Sequence, residues 1–220
     1  MHPLDHALFS ACPTVCAPRF GTFEPMPTEG HRYINAELGV YKEIRRSWGH
    51  VIQQVAACSF PYGPITESLG ISIDPHGIAN MLTAFAAQAR QAGAHETAAW
   101  GCVDPQANNA LTLNPVVVIK AGIGHIRYER PRANPNQVPV FDCHSHGHLP
   151  AFFSREDDAD DGSNDDLKVS IVLGNTHQSR LSLVARITAH QINLDISDWL
   201  IALCHDGFCT PPLHAKRDHD

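Results

Sequence analysis

His144, His146, Ser154 and Asp157 are spaced H-x-H-x7-S-x2-D in a chain of 220 residues, a pattern that can assemble a hydrolytic zinc site. Where residues 142 to 146 are extended, side chains alternate between faces, so His144 and His146 point one way and Ser145 the other. Two imidazoles then converge on one point, and Asp157, returning from a short loop, supplies a carboxylate as the third ligand. A set of two histidines and a carboxylate leaves the fourth tetrahedral position open to water, and that open position separates catalytic from structural zinc.

Each half of the pattern has a plainer reading. The chain holds 15 histidines, so one H-x-H alone is weak. Ser154-x-x-Asp157 is also a common helix start, in which the serine caps the first turn. The two readings are compatible, because a helix beginning at Ser154 would fix the position of Asp157. Glu156, Asp157, Asp158, Asp160 and Asp161, followed by Asp165 and Asp166, also read as a solvated acidic loop. The residue that discriminates lies upstream. Hydrolysis by an acidified water needs a proton acceptor that is not itself a ligand, and Glu96 fits. It follows a helix-like stretch and precedes the apolar segment from Thr97 to Val103, a candidate central strand. A carboxylate there is costly unless it has a task or a partner.

Glu96 before a small-residue, glycine-containing strand, then His144-Ser145-His146, then Ser154-x-x-Asp157, resembles the JAB/MPN metalloprotease family with its JAMM signature. The gap between Glu96 and His144 is similar to that family's. More narrowly, the Asp-Cys-His-Ser-His-Gly-His turn, the Phe-Phe-Ser segment and the long N-terminal extension resemble products of the PRTRC cassettes. These are bacterial, often plasmid-borne gene sets that also encode ThiF-like and ubiquitin-like proteins. The resemblance covers roughly residues 75 to 200. It implies a curved mixed sheet flanked by helices, similar to the deaminase-like sandwich, and one catalytic Zn2+ on His144, His146 and Asp157. It also implies Glu96 as general base, with Ser154 placed to hydrogen-bond an oxyanion. The bond cleaved would be a peptide or isopeptide bond at the C-terminus of a ubiquitin-like protein, with a ThiF-like activating enzyme as a further partner. One position departs from the family. Many members carry proline directly after the second histidine, whereas this chain has Gly147 and then His148, which alters the substrate-facing turn but not the ligand set.

Two other classes are weighed against hydrolysis. A non-catalytic scaffold or interaction module would keep the fold and lose ligands, yet Glu96, His144, His146, Ser154 and Asp157 are all present. A zinc deaminase needs a Pro-Cys-x2-Cys element, which the sequence lacks.

A formal charge of −7 without a Lys/Arg-rich run gives no footprint for nucleic acid or an anionic membrane. Apolar stretches such as Val116 to Ile119 fall far short of the roughly 20 residues that span a bilayer. The first residues, Met1 to His6, lack the features of a signal peptide. The expectation is a cytoplasmic protein whose seven cysteines stay reduced. Cys12-x3-Cys16 and Cys204-His205-x3-Cys209 are too loosely spaced for a usual structural zinc pair.

The elements that must position the site follow from local pattern. Residues 1–74 read as a β-rich extension punctuated by proline, with strands at Val40 to Ile44 and Val51 to Val55 around Trp48-Gly49. Residues 75–203 read as the catalytic domain and 204–220 as a tail whose end is mobile. Asp74-Pro75 opens a helix with an apolar stripe at Ile78, Met81, Leu82, Phe85 and Ala89, closed by Gly93. Strands are expected at about 98–103, 110–119, 123–129 and 138–146, an alternating one from Leu167 to Leu173, and another from Leu183 to Ile192. A last helix spans Asp198 to Leu203. Strands that cluster without alternating helices make the fold α+β with a mostly antiparallel or mixed sheet.

Overall fold

The computed structural model describes residues 1–123, 125–129, 134–163, 166–204 and 207–212. The chain divides into two units, Met1–Ser72 and Ile73–Asp220. Both together make a mixed α+β structure with four α-helices and three sheets among the described residues.

The first unit opens with helix α1 (Pro3–Ala11), started by His2, whose ring accepts from the Leu4 amide, and by proline at its first turn. None of its residues is buried, which is why the sequence pattern, read for buried stripes, shows only β structure here. Strands β1 (Thr14–Cys16), β2 (Gly30–Ala36), β3 (Gly39–Arg45), β4 (Gly49–Ala57) and β5 (Ser68–Ile71) form one sheet in chain order. All its pairings are antiparallel except the first. The strands expected around Trp48-Gly49 are the hairpin of β3 and β4. Ala17, Ile34, Ala36, Tyr41 and Ile52 form the apolar cluster. Glu43 is wholly buried on the same sheet. Its carboxylate accepts from the Met26 amide at 2.7 Å and Arg32 Nε at 2.6 Å, and lies 2.8 Å from His50 Nε2, so no charge is left bare.

In the second unit, α2 (Pro75–Ala92) starts where the sequence places it. Asp74 accepts from the His76 and Gly77 amides, proline takes the first turn, and Gly93 ends the helix at φ 66°. The apolar stripe is buried against a sheet ordered β13-β12-β11-β10-β6-β7, with β14 joined to the side of β12. Its strands are β6 (Ala98–Asp104), β7 (Ala110–Pro115), β10 (Val138–Ser145), β11 (Lys168–Gly174), β12 (Leu181–Ala189), β13 (Ile192–Asp195) and β14 (Cys209–Thr210). The sheet is mixed: β10 runs parallel to β11 and β12 parallel to β14, and the remaining pairs are antiparallel. A separate hairpin, β8 (Val117–Gly122) with β9 (His125–Glu129), stands beside it. Helices α3 (Arg155–Ser163) and α4 (Ser197–Leu203) complete the unit. Gly101 on β6 lets α2 come close: an added Cβ would lie 2.5 Å from Met81 Sδ and 2.9 Å from Phe141 Cβ.

Three expectations are corrected. The segment 110–119 is two strands, because the first ends at Pro115, which has no amide to give, and the chain leaves the large sheet to build the hairpin. The strand expected to run to Ile192 stops at Ala189; the chain turns through Gln191 at φ 67°, and Ile192 opens β13. The segment taken as a tail contributes Cys209 and Thr210 to the sheet, while His205 of the cysteine-rich motif and the chain end from 213 lie outside the described residues, as does Asp165. The seven cysteines are free. No helix among the described residues is long and apolar enough to cross a membrane.

Candidate metal centre

Strand β10 sits between β11 and β6 at the centre of the sheet, and period-two alternation sends its residues two ways. Phe141, Cys143 and Ser145, all on one side, are fully buried. Asp142, His144 and His146 line a cleft of about 400 Å³ shared with Glu96, Phe152, Ser154, Asp157 and Tyr128. The alternation brings the two imidazoles together, with His144 Nε2 3.3 Å from His146 Nε2. Phe152 packs on the His146 ring edge to face at 4.4 Å between centroids.

Past His146 the chain must leave the sheet at once. Gly147 does this at φ 56°, with its Cα so close that an added Cβ would stand 2.4 Å from the Ala94 carbonyl oxygen. Proline is fixed near φ −65°, so it could not take the place of Gly147 in this turn.

Asp157 arrives through a helix cap. The Ser154 hydroxyl accepts from the Asp157 amide at 3.2 Å while Asp157 Oδ2 accepts from the Ser154 amide at 2.7 Å, a reciprocal box. The other oxygen, Oδ1, is left facing His144 Nε2 at 3.4 Å. The two plain readings of Ser154-x-x-Asp157 are thus both realised: the cap exists, and it aims the carboxylate.

The acidic run is no solvated loop. Helix α3 buries a single residue, and that residue is Asp161. Its oxygens accept from Ser170 Oγ at 2.8 Å and Arg186 Nε at 2.6 Å, and Lys168 Nζ lies 2.8 Å away. Arg186 also bonds Asp158 at 2.6 Å and lays its guanidinium over the Phe153 ring at 3.8 Å. Arg186 is almost wholly buried, and removing one partner of a buried ion network strands the other. Arg186→Ala is therefore expected to cost about 3 kcal/mol, read by urea denaturation of the metal-free protein; a change under about 0.5 kcal/mol, typical of a surface site, would show that the network does not hold α3.

Glu96 lies between α2 and β6, 6% exposed, its amide bonded to the Gly122 carbonyl at 3.1 Å. Burial, with the Asp157 charge second, pushes its carboxyl up to about 7. Ser145, the residue between the two histidines, fixes this junction: its hydroxyl accepts from the Thr97 amide at 3.1 Å and its amide donates to the Thr97 carbonyl at 2.9 Å. Burial, with His144 second, pushes His146 down to about 4, which keeps its imidazole neutral with a free lone pair at neutral pH.

His144, His146 and Asp157 each offer one donor atom, all within 4.8 Å of one another. In a tetrahedral zinc site with bonds of roughly 2.0–2.1 Å, donors sit about 3.3 Å apart, against the 3.3 and 3.4 Å found here. The donor set, two imidazoles and a carboxylate, suits zinc as well. The residues present fit the ion.

The second unit is thus an α+β domain that gathers two histidines, an aspartate, a serine and a buried glutamate in one cleft. Residues 79–186 match the model for prokaryotic homologs of the JAB domain, a stretch that holds all five of those residues and supports a JAB-type domain here. Residues 2–72 match a domain of unknown function, DUF2016. No curated protein and no solved structure matches the chain.

Ser145, Lys168, Arg186 and Tyr128, whose hydroxyl donates to Asp142 at 3.1 Å, were not among the sequence-derived candidates. Only the two basic residues carried a signal: a lone cation inside an otherwise apolar strand pattern, which calls for a buried partner.

Proposed function

We propose that the chain is a JAMM-type zinc metallopeptidase of the JAB/MPN, deaminase-like sandwich class. Its task is to cleave a peptide or isopeptide bond at the C-terminus of a ubiquitin-like protein. The observation that carries the reading is the convergence of His144, His146 and Asp157 beside a buried, non-ligand Glu96 in one cleft. The resemblance to PRTRC system protein A supports the substrate class, a ThiF-like enzyme as further partner, and a place in the cytoplasm.

His144, His146 and Asp157 would hold the ion through Nε2, Nε2 and Oδ1. Zinc bound there supplies Lewis acidity, lowering the pKa of water and drawing charge from a scissile carbonyl. Glu96 takes the proton from the attacking water and passes it to the leaving amine, a role suited to a carboxyl held near neutral pH. Ser154 uses its oxygen lone pair to cap α3, which leaves its hydroxyl hydrogen free to donate to the carbonyl oxygen as charge develops there. Phe152 and Leu149, both partly exposed at the cleft, give the substrate chain an apolar wall.

Elemental analysis of the purified chain and of His144→Ala, run beside a cleavage assay on a linear ubiquitin-like precursor and an isopeptide conjugate, tests the reading. About one zinc per wild-type chain, near none in the variant, and cleavage only by the wild type are expected. Equal zinc in both proteins would sink the ligand assignment, and zinc without cleavage of either substrate would favour the scaffold alternative.

Ser154→Asp separates capping from chemistry. Aspartate accepts the same first-turn amide, so fold stability should hold within about 1 kcal/mol. It cannot donate and brings negative charge toward a developing oxyanion, so turnover should fall by about 10²–10³-fold. A stable, zinc-loaded Ser154→Asp chain with full activity would leave Ser154 a cap only.

A further inference from the structure

The ligands of the proposed centre sit on two separate elements, and nothing apolar holds one of them in place. His144 lies at the end of β10 and His146 directly follows the strand, while Asp157 belongs to α3. A helix that buries one residue, and that one a carboxylate, cannot be located by apolar packing, so charge must locate it. Arg186 ties α3 to β12 through its hydrogen bonds to Asp158 and Asp161, both on α3. Lys168 is different. Its ammonium, on β11, meets Asp160 at 2.9 Å and Asp161 at 2.8 Å on α3, and Asp142 at 3.2 Å on β10. Asp142 shares the cleft face with His144, one strand repeat away, and Asp160 and Asp161 lie one helical turn beyond Asp157. An ammonium offers three hydrogens in a compact head, and here three carboxylates from the two ligand-bearing elements surround it.

We propose that Lys168 is a positioning residue for the metal centre: its ammonium clamps the helix that carries Asp157 to the strand that carries His144 and leads directly into His146. The proposal rests on the metal-centre reading above. The clamp is directional where packing would not be. Loss of one leg lets α3 slide relative to β10 and opens the His144–Asp157 separation, while the cap at Ser154 and the fold of the sheet survive. Groups that orient metal ligands from outside the coordination sphere typically alter affinity by about 10–100-fold, and Lys168 acts through two elements at once.

The test uses the full chain, stripped with a chelator and titrated with zinc against a competing chromophoric chelator. Lys168→Gln is expected to weaken zinc binding by about tenfold and to change the visible spectrum of the cobalt-loaded protein, which reports the geometry around the ion. Asp160→Asn removes one leg at a side chain that is 50% exposed, so the chain folds and a smaller loss in the same direction is expected. Lys168→Arg, which keeps the charge, should restore part of the affinity. Ile78→Val, a core truncation on α2, serves as the control: it lowers stability and leaves zinc affinity and the cobalt spectrum unchanged. Wild-type affinity and spectrum in both Lys168→Gln and Asp160→Asn would overturn the clamp and leave the metal centre standing. A wild-type chain that takes up no zinc would overturn the metal-centre reading itself.

Discussion

Glu96→Gln is expected to keep its zinc and lose hydrolysis by about 10²–10⁴-fold, the range supplied by a placed general base. The amide has nearly the shape of the carboxyl but cannot accept a proton, and Glu96 is not among the three converging donors. Zinc lost along with activity would instead make Glu96 a ligand, and a wild-type rate would remove it from the reaction. A second readout needs no substrate. The Glu96 carboxyl is pushed up to about 7 in the folded chain, by burial first and by the Asp157 charge second. A carboxyl whose folded pKa is raised binds its proton more tightly in the native state than in the unfolded one. Stability is therefore greatest below the unfolded value, near 4.5, and falls as pH rises through about 7. Between pH 5 and pH 8 the metal-free wild type should lose about 2 kcal/mol relative to Glu96→Gln, measured by denaturant unfolding after chelation. Parallel curves across that window would refute the shift. Added zinc should flatten the wild-type dependence, since a cation at the triad offsets the Asp157 charge.

This pairing of lost activity with gained stability is what a buried proton acceptor costs, and the sequence carried the hint. Glu96 stood out because a carboxylate before an apolar strand is expensive. The other legible features were local in the same way. Alternation along five residues placed His144 and His146 on one face, and a three-residue capping spacing placed Asp157. Asp74-Pro75 and Gly93 marked the ends of α2. What stayed hidden depends on partners far apart in the chain. Lys168 meets Asp142 across 26 positions, Arg186 meets Asp161 across 25, and Ser145 meets Thr97 across 48. No local period encodes such pairs, so the acidic run read as solvent-facing when three of its carboxylates face buried cations. The split of segment 110–119 was hidden for a related reason: both halves have strand composition, and only the choice of pairing partner separates β7, on the large sheet, from β8, on the hairpin.

Asp157→Asn is expected to abolish zinc binding while leaving the fold intact. The two oxygens of Asp157 have separate tasks, Oδ2 accepting from the Ser154 amide at 2.7 Å and Oδ1 facing His144 Nε2 at 3.4 Å. Asparagine has one oxygen and an amide nitrogen that only donates. The cap partner is a backbone amide that must be accepted, so the asparagine oxygen should turn to Ser154 and its NH2 to His144, where a donor hydrogen repels a cation. The ligand set also loses its one negative charge. The Ser154 hydroxyl still caps the Asp157 amide, so the helix start is kept, and the metal-free variant should match the metal-free wild type within about 1 kcal/mol. With zinc added the two part company: a ligand held only by the native state at 100 times its dissociation constant stabilises by about 2.7 kcal/mol. The wild type should show that gain, and Asp157→Asn none. A zinc-dependent rise in melting temperature of equal size in both chains would place the ion elsewhere. A metal-free variant that melts far below the wild type would mean that Asp157 serves the helix before it serves the ion.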